Sequence, residues 1–297
     1  MEAKKTSSKQ VVAILLLVIG LIAGVFGILG LVGGGGMDPY EARNGVVYIY
    51  SVAYNDQGQS EAGWGTGWAI GKPGEPVQYI VTNGHVVERA YAYPKQYANI
   101  TGDLKVYFSA AENDFVAGQV VYYSGFNEKD IAIIKLPSAT DKRTALRLRS
   151  SSDVKVGETV YALGYPGTAT VGQDFKTFDQ DDITLTKGVI SKKMTPSFST
   201  YDAFQMDTYI SGGNSGGPLV DENGYVVGIN SAGLENSGID LGMNYAIVAD
   251  ELIKILDSER IEYTMAGGGV SWAQPWFAYV FLPIGVLALA GGIILLV

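Results

Sequence analysis

Hydrophobic positions fall into three regimes along the chain. Val11 to Val32 are 22 consecutive uncharged, mostly apolar residues. At about 1.5 Å per helical residue they are long enough to cross the ~30 Å hydrocarbon layer of a bilayer. Nothing is charged from Tyr263 to Val297, and Trp276 to Val297 is a second run of spanning length, with Trp272, Trp276 and Tyr279 near its start. Interfacial aromatics are expected there, and apolarity around every face argues against a helix buried in a soluble domain. Between these runs, from Gly45 to Glu262, short apolar or alternating segments are separated by Gly, Asn, Asp and Pro.

Those short segments read as half-buried strands rich in Val, Ile, Tyr and Thr. They are Val46–Ala53, Gln78–Thr82, Leu104–Phe108, Gln119–Tyr123 and Ile131–Leu136, followed by Val160–Leu163, Ile183–Ile190, Phe204–Asp207, Gly217–Val220, Val226–Asn230 and Met243–Ile247. One helix is expected at Ala249–Leu256, where Leu252, Ile253, Ile255 and Leu256 supply an apolar face. The fold class is therefore all-β, a sandwich or barrel. The polar stretch Pro137–Ser152 divides it into two β-units, and no internal repeat is visible.

The apolar ends set an expected topology. A cleaved signal peptide usually has an apolar core of about 7–15 residues and a small-residue cleavage site. The first run is longer and enters Gly33–Gly36 without an Ala-x-Ala pattern, so an anchor is expected. Lys4, Lys5 and Lys9 precede it, and Arg43 is the nearby basic residue beyond it. The positive-inside rule then leaves the N-terminus in the cytoplasm and the β-region outside. The expected division is a cytoplasmic tail (1–10), a transmembrane helix (11–32), a linker (33–44), a first β-unit (45–140), a second with its helix (141–262), a linker (263–275) and a transmembrane helix (276–297). The localisation that follows is the cell membrane, with the lipid bilayer as a partner.

Composition narrows the chemistry. With no cysteine, disulfides, thiolate metal sites and cysteine nucleophiles are excluded. From Asp38 to Glu262 there are 29 acidic and 18 basic residues, a formal balance of −11. Such a surface repels phosphate backbones, so no nucleic-acid partner is expected. The cluster Asp179-Gln180-Asp181-Asp182 lacks the glycine and distal glutamate of an EF-hand loop and reads as a solvated loop. No metal and no cofactor are expected.

Three residues could carry hydrolytic chemistry. Amide hydrolysis needs a nucleophile, a base near neutrality, a group that orients the base, and donors for the oxyanion. His85 is the chain's one histidine, after the strand-like Tyr79–Thr82 and the turn-like Asn83-Gly84. Alone it fits a packed or surface histidine equally. Ser215 lies in Gly212-Gly213-Asn214-Ser215-Gly216-Gly217-Pro218, where glycines uncover backbone N–H groups. A flexible or phosphate-binding loop is the alternative there, although no Gly-Lys-Ser/Thr follows. Asp130 heads Asp130-Ile131-Ala132-Ile133-Ile134-Lys135-Leu136, and from a strand start it could accept an imidazole N–H or simply occupy a turn. Together, the order His, Asp, Ser is that of the chymotrypsin-type triad.

Here a family resemblance emerges. The segments YIVTNGHVV, DIAIIKL and SGGNSGGPLV resemble the three catalytic blocks of HtrA/DegP-like proteases of the trypsin fold. GTGWAI, VKVGETVYALGYP, TLTKGVIS, GINSAG and GMNYAIVADELIKIL extend the resemblance over roughly Gly45 to Leu256. It implies two six-stranded β-barrels flanked by the transmembrane helices, with the triad in the cleft between the barrels. His85 and Asp130 would come from the first barrel and Ser215 from the second. It further implies an oxyanion hole from the backbone N–H groups of Gly213 and Ser215, and Ser231 as support for the aspartate. Ile210 would be a wall of the primary specificity pocket. With an apolar wall and no acid at Tyr209, small or aliphatic residues are expected before the scissile bond.

The implied function is a membrane-anchored serine endopeptidase acting on protein or peptide substrates outside the cytoplasm, with a homotrimer as a family habit. Two departures stand out. An apolar span follows where the family usually carries PDZ domains, and Gly212 replaces a larger side chain. A glutamyl-endopeptidase-like protease of the same fold is one alternative, although GINSAG lacks the histidine of that branch. A catalytically silent binding or chaperone module on a protease scaffold is the other. By analogy, loops 164–182 and 231–242 would govern activation.

Overall fold

The computed structural model describes residues 7–32, 37–109, 111, 113–167, 179–197, 199–236, 239–266 and 276–296. The expected Gly33–Gly36 leash, most of the 263–275 linker and the centre of the 164–182 loop lie outside the described residues. Two compact units result, one from residues 1–36 and 266–297, the other from 37–265.

The first unit is a pair of helices, α1 (Ser8–Val32) and α5 (Trp276–Leu296). They are antiparallel: Gly20 meets Leu289, Gly24 meets Gly285, Gly27 meets Leu282 and Leu17 meets Gly292. Glycines let the backbones approach closely, since a Cβ on Gly285 would lie 3.0 Å from the Gly24 nitrogen and one on Gly20 only 2.6 Å from Leu289. Packing of apolar helices through small residues is typical of lipid-embedded pairs. The remaining faces expose Val11, Ile14, Leu15, Val18, Leu21 and Val25 on α1, and Val286, Leu287 and Ile294 on α5. Ser8–Ile28 is long and apolar enough to cross a membrane; the apolar stretch of α5, Tyr279–Leu295, is shorter. Pro283 lies inside α5.

The second unit carries the β-structure. Its first half is β1 (Val46–Asn55), β2 (Ser60–Ile70), β3 (Val77–Thr82), β4 (Ile100–Tyr107), β5 (Phe115–Ala117), β6 (Gln119–Tyr123) and β7 (Ala132–Thr140). Helices α2 (Gly84–Tyr91) and α3 (Tyr93–Gln96) fall between β3 and β4. The strands form one seven-stranded sheet in the order β5-β4-β1-β2-β3-β7-β6, where a six-stranded barrel was expected. The difference has a simple cause. The two edge strands are successive pieces of one bent segment, separated by Gly118 alone, and Gly118 N–H donates to Leu104 carbonyl. The segment leaves β4 at this bend and pairs with β7 beyond it.

The second half is β8 (Thr159–Gly164), β9 (Thr184–Met194), β10 (Ala203–Met206), β11 (Pro218–Asp221), β12 (Val226–Asn236) and β13 (Ile239–Val248), followed by α4 (Ala249–Glu259). These strands close into a barrel, β10-β13-β12-β11-β8-β9. Each half has its own apolar filling, Val47, Ile49, Ile80, Val106 and Ile134 in one and Val160, Phe204, Met206, Leu219 and Ala246 in the other. A third cluster, including Val46, Tyr48, Trp68, Ile133, Leu163, Val220 and Ile247, joins them. Strand β1 is therefore buried on both faces, which explains its continuous Val-Val-Tyr-Ile-Tyr.

Most expected strands appear within a few residues of their sequence bounds. Strand β2 was not anticipated, because its glycines weaken β propensity. They are there for space: a Cβ on Gly65 would lie 2.6 Å from Val86, and one on Gly67 would lie 2.6 Å from Ile49. The acidic cluster near residue 180 forms a 3-10 turn in which Asp179 and Asp182 cap each other, while Asp181 pairs with Arg43 at 2.7 Å.

Candidate active site

His85 does not sit at a bare strand end. Strand β3 stops at Thr82 and α2 begins at Gly84, so the imidazole rides on the first turn of a short helix. The approach is tight, because a Cβ on Gly84 would overlap the Ser124 carbonyl oxygen. Asp130 is fully buried at the head of β7, with a left-handed backbone at φ +50°. Its Oδ1 accepts from the His85 main-chain N–H at 3.0 Å and lies 2.9 Å from His85 Nδ1, while Oδ2 lies 3.0 Å from the same nitrogen. A carboxylate can only accept, so Nδ1 carries the proton and Nε2 is left as the acceptor of the neutral ring. Phe126 meets the imidazole edge-on, with ring centroids 5.9 Å apart.

Ser231, on β12 of the closed barrel, reaches across and donates its hydroxyl to Asp130 Oδ2 at 2.8 Å. Ser215 lies on the loop before β11, held between the two halves of the unit. Its carbonyl accepts from Thr66 N–H on β2 at 2.9 Å, and the next N–H, of Gly216, donates to Asn230 on β12 at 2.8 Å. The Ser215 hydroxyl donates to the Ser231 carbonyl at 3.1 Å. Tyr201 is buried nearby; burial, reinforced by the charge of Asp130, pushes its hydroxyl up to about 12.

The glycines around Ser215 fix peptide orientation. Gly213 has φ +105°, and a Cβ there would overlap the Tyr165 carbonyl oxygen. The preceding carbonyl, of Gly212, accepts from Gly167 N–H at 2.8 Å. In a planar trans peptide the Gly213 N–H then points the opposite way from Gly167. Thr66 completes the support: its hydroxyl donates to the Gly213 carbonyl at 2.7 Å and accepts from Tyr165 N–H at 3.0 Å. Gly212, the departure noted in the sequence, has nothing within 4 Å of a built Cβ, so neither space nor strain demands glycine there.

The structure thus brings His85, Asp130, Ser215 and Ser231 together, with Gly213 two residues before the serine. Ile210 is buried in the apolar filling of the closed barrel, beside exposed Tyr209. Sequence reasoning missed Thr66, Asn83, Phe126 and Gly167 at this site. None of them carried a signal: Thr66 lies between Gly65 and Gly67, and Asn83 beside Gly84 reads as half of a turn. Among the described residues no cluster of His, Asp and Glu could hold a metal ion.

A two-lobed β-unit with this residue set at the junction defines the trypsin-like class, and the chain belongs to the trypsin-like peptidase domain family, which matches residues 65–229. Within that class it is an HtrA/DegP-like protein. It is 32% identical over 225 residues to "Protease Do-like 1, chloroplastic" of Arabidopsis thaliana, covering 71% of this chain and 44% of that protein. It is 30% identical over 214 residues to a "Probable periplasmic serine endoprotease DegP-like" of Hahella chejuensis, covering 71% of this chain and 38% of that protein. Among solved structures, "HtrA-type protease AlgW with tripeptide" superposes with a TM-score of 0.53 at 25% identity, covering 74% of this chain and 62% of that one. The chain spans less than half the length of these two curated relatives.

Proposed function

We propose that this protein is a serine endopeptidase anchored in a membrane, with its β-unit on the extracytoplasmic side, cleaving protein or peptide substrates there. The observation that carries the reading is the continuous chain from Ser231 through Asp130 to His85 Nδ1, with Ser215 beside it. In the proposed reaction the Ser215 hydroxyl turns from the Ser231 carbonyl toward His85 Nε2. Its oxygen attacks the scissile carbonyl as the proton passes to Nε2. Asp130 stabilises the imidazolium through Nδ1–H without taking the proton. The N–H groups of Gly213 and Ser215 receive the oxyanion. His85 then protonates the departing amine, and water, deprotonated by the same nitrogen, hydrolyses the acyl-enzyme.

A preference for small or aliphatic residues before the scissile bond is a further part of the proposal, and it rests on the family resemblance at Ile210 and on the non-acidic Tyr209 beside it. The antiparallel, outwardly apolar helix pair supports anchoring, since both of its chain ends would lie on one side of the bilayer. A homotrimer and the domain bounds at 140 and 262 are further parts of the proposal. Full-length protein in detergent should cleave casein and react with a fluorophosphonate probe, and Ser215→Ala should do neither. Equal cleavage by both proteins defeats the reading. A folded wild type that neither cleaves nor labels points to a silent binding module.

A further inference from the structure

Asn83 stands at the N-cap of α2, where an asparagine side chain ordinarily accepts a hydrogen bond from an N–H of the first turn. Its side chain makes no such bond. The amide is turned away, and Nδ2 donates to the main-chain carbonyl of Asp130 at 2.8 Å, in a position fully closed to solvent. A carbonyl can only accept, so this contact fixes which end of the amide faces Asp130. The other end, Oδ1, is buried with no hydrogen-bond partner. The first-turn N–H of His85 is satisfied by Asp130 Oδ1 at 3.0 Å instead, so the Asn83 side chain is not needed as a cap, and its unsatisfied buried oxygen disfavours asparagine at this position.

Asp130 is where the compensation lies. It is one of two non-glycine residues with positive φ among those described, a conformation that must be held by its surroundings. Both peptide groups flanking its Cα are pinned: its N–H donates to the Gly125 carbonyl at 3.1 Å, and its carbonyl is held by Asn83. With the backbone so fixed, the carboxylate points under α2 and meets His85 and Ser231. Without the Asn83 bond the Asp130 carbonyl would be unheld, and the aim of the carboxylate would rest on the Gly125, His85 and Ser231 contacts alone.

From this geometry we infer that Asn83 is a positioning residue for the hydrolysis proposed above, on which the inference rests. It holds Asp130 in the left-handed conformation that aims its carboxylate at the histidine.

The test uses full-length protein in detergent as wild type, Asn83→Ala, Asp130→Asn and the double variant. Peptide hydrolysis gives kcat and KM, the rate of fluorophosphonate labelling extends the range for weak variants, and thermal melting monitors the fold. N83A should lower kcat and the labelling rate about tenfold, the effect of one hydrogen bond. KM should be unchanged and the melting temperature nearly so, because loss of the bond to the Asp130 carbonyl is offset by removal of the unsatisfied oxygen. In the D130N background, N83A should add nothing, because the carboxylate it aims is gone. Full multiplication of the two effects, a change in KM alone, or an activity loss that tracks a lower melting temperature overturns the inference. Asn83→Ser, which keeps a donor, should fall between wild type and N83A, and it serves also if N83A does not fold. A wild type that neither hydrolyses nor labels removes the peptidase reading and this inference together; an active wild type with multiplicative effects removes the inference alone.

Discussion

Replacing Gly213 by alanine isolates one peptide group. At φ +105° the residue lies where an L side chain is strained by about 1–3 kcal/mol. The new Cβ would overlap the Tyr165 carbonyl oxygen and lie 3.1 Å from Trp64 Nε1 and 3.2 Å from Gly167 N. Neither the Tyr165 carbonyl nor the Gly167 amide is the free end of a flexible side chain, so relief must come from rotating the Gly212–Gly213 peptide. That rotation breaks the 2.8 Å bond from Gly167 and turns the Gly213 N–H out of the direction in which it would serve as the proposed oxyanion donor. Losing one oxyanion donor costs about 10²–10³ in kcat, roughly 2.7–4 kcal/mol. Gly212→Ala is the matched control, since its Cβ would meet nothing within 4 Å. Steady-state hydrolysis of a fluorogenic peptide, with thermal melting to confirm folding, should show G213A reduced by that factor at nearly constant KM and G212A close to wild type. Near-wild-type activity in G213A, or equal loss in both variants, would refute the argument from peptide orientation.

Other outcomes follow from single contacts. Ser231→Ala removes the 2.8 Å hydrogen bond to Asp130 Oδ2 and should lower kcat about tenfold, with little change in KM, by the same kinetic assay. Gly65→Ala would place a Cβ 2.6 Å from Val86 and 3.0 Å from the Ser215 carbonyl, so denaturant unfolding should show a loss of about 1–3 kcal/mol. For Glu251, burial alone would raise the carboxyl, but hydrogen bonds from Lys129 and Lys254 hold it below its ordinary value. Its stabilising contribution is therefore present above the unfolded value of about 4.3 and fades as pH falls through the lower folded value. Melting curves of wild type and Glu251→Gln should differ at pH 7 and converge towards pH 3; a constant difference would contradict the assignment.

Much of this protein follows from residue order. Alternation and turn residues placed most strands, because a half-buried strand must alternate whatever it pairs with. The unbroken apolarity of Val11–Val32 gave a helix of spanning length, because its length and composition are local properties. The triad candidates were legible because the chain has one histidine, one serine flanked by paired glycines and one aspartate heading an Ile-rich strand. Other features depended on contacts between residues far apart in sequence. The glycines of β2 read as loop until Val86, Ile49 and the Ser215 carbonyl are seen to fill the space beside them. Asn83 reads as half of a turn until Asp130, 47 residues later, supplies the carbonyl its amide holds. Gly213 and Gly212 look alike as letters, yet the Tyr165 carbonyl demands glycine at one and nothing demands it at the other. Local order determines which elements form and which side chains are available; packing alone decides where a Cβ can fit and which way a peptide N–H must point.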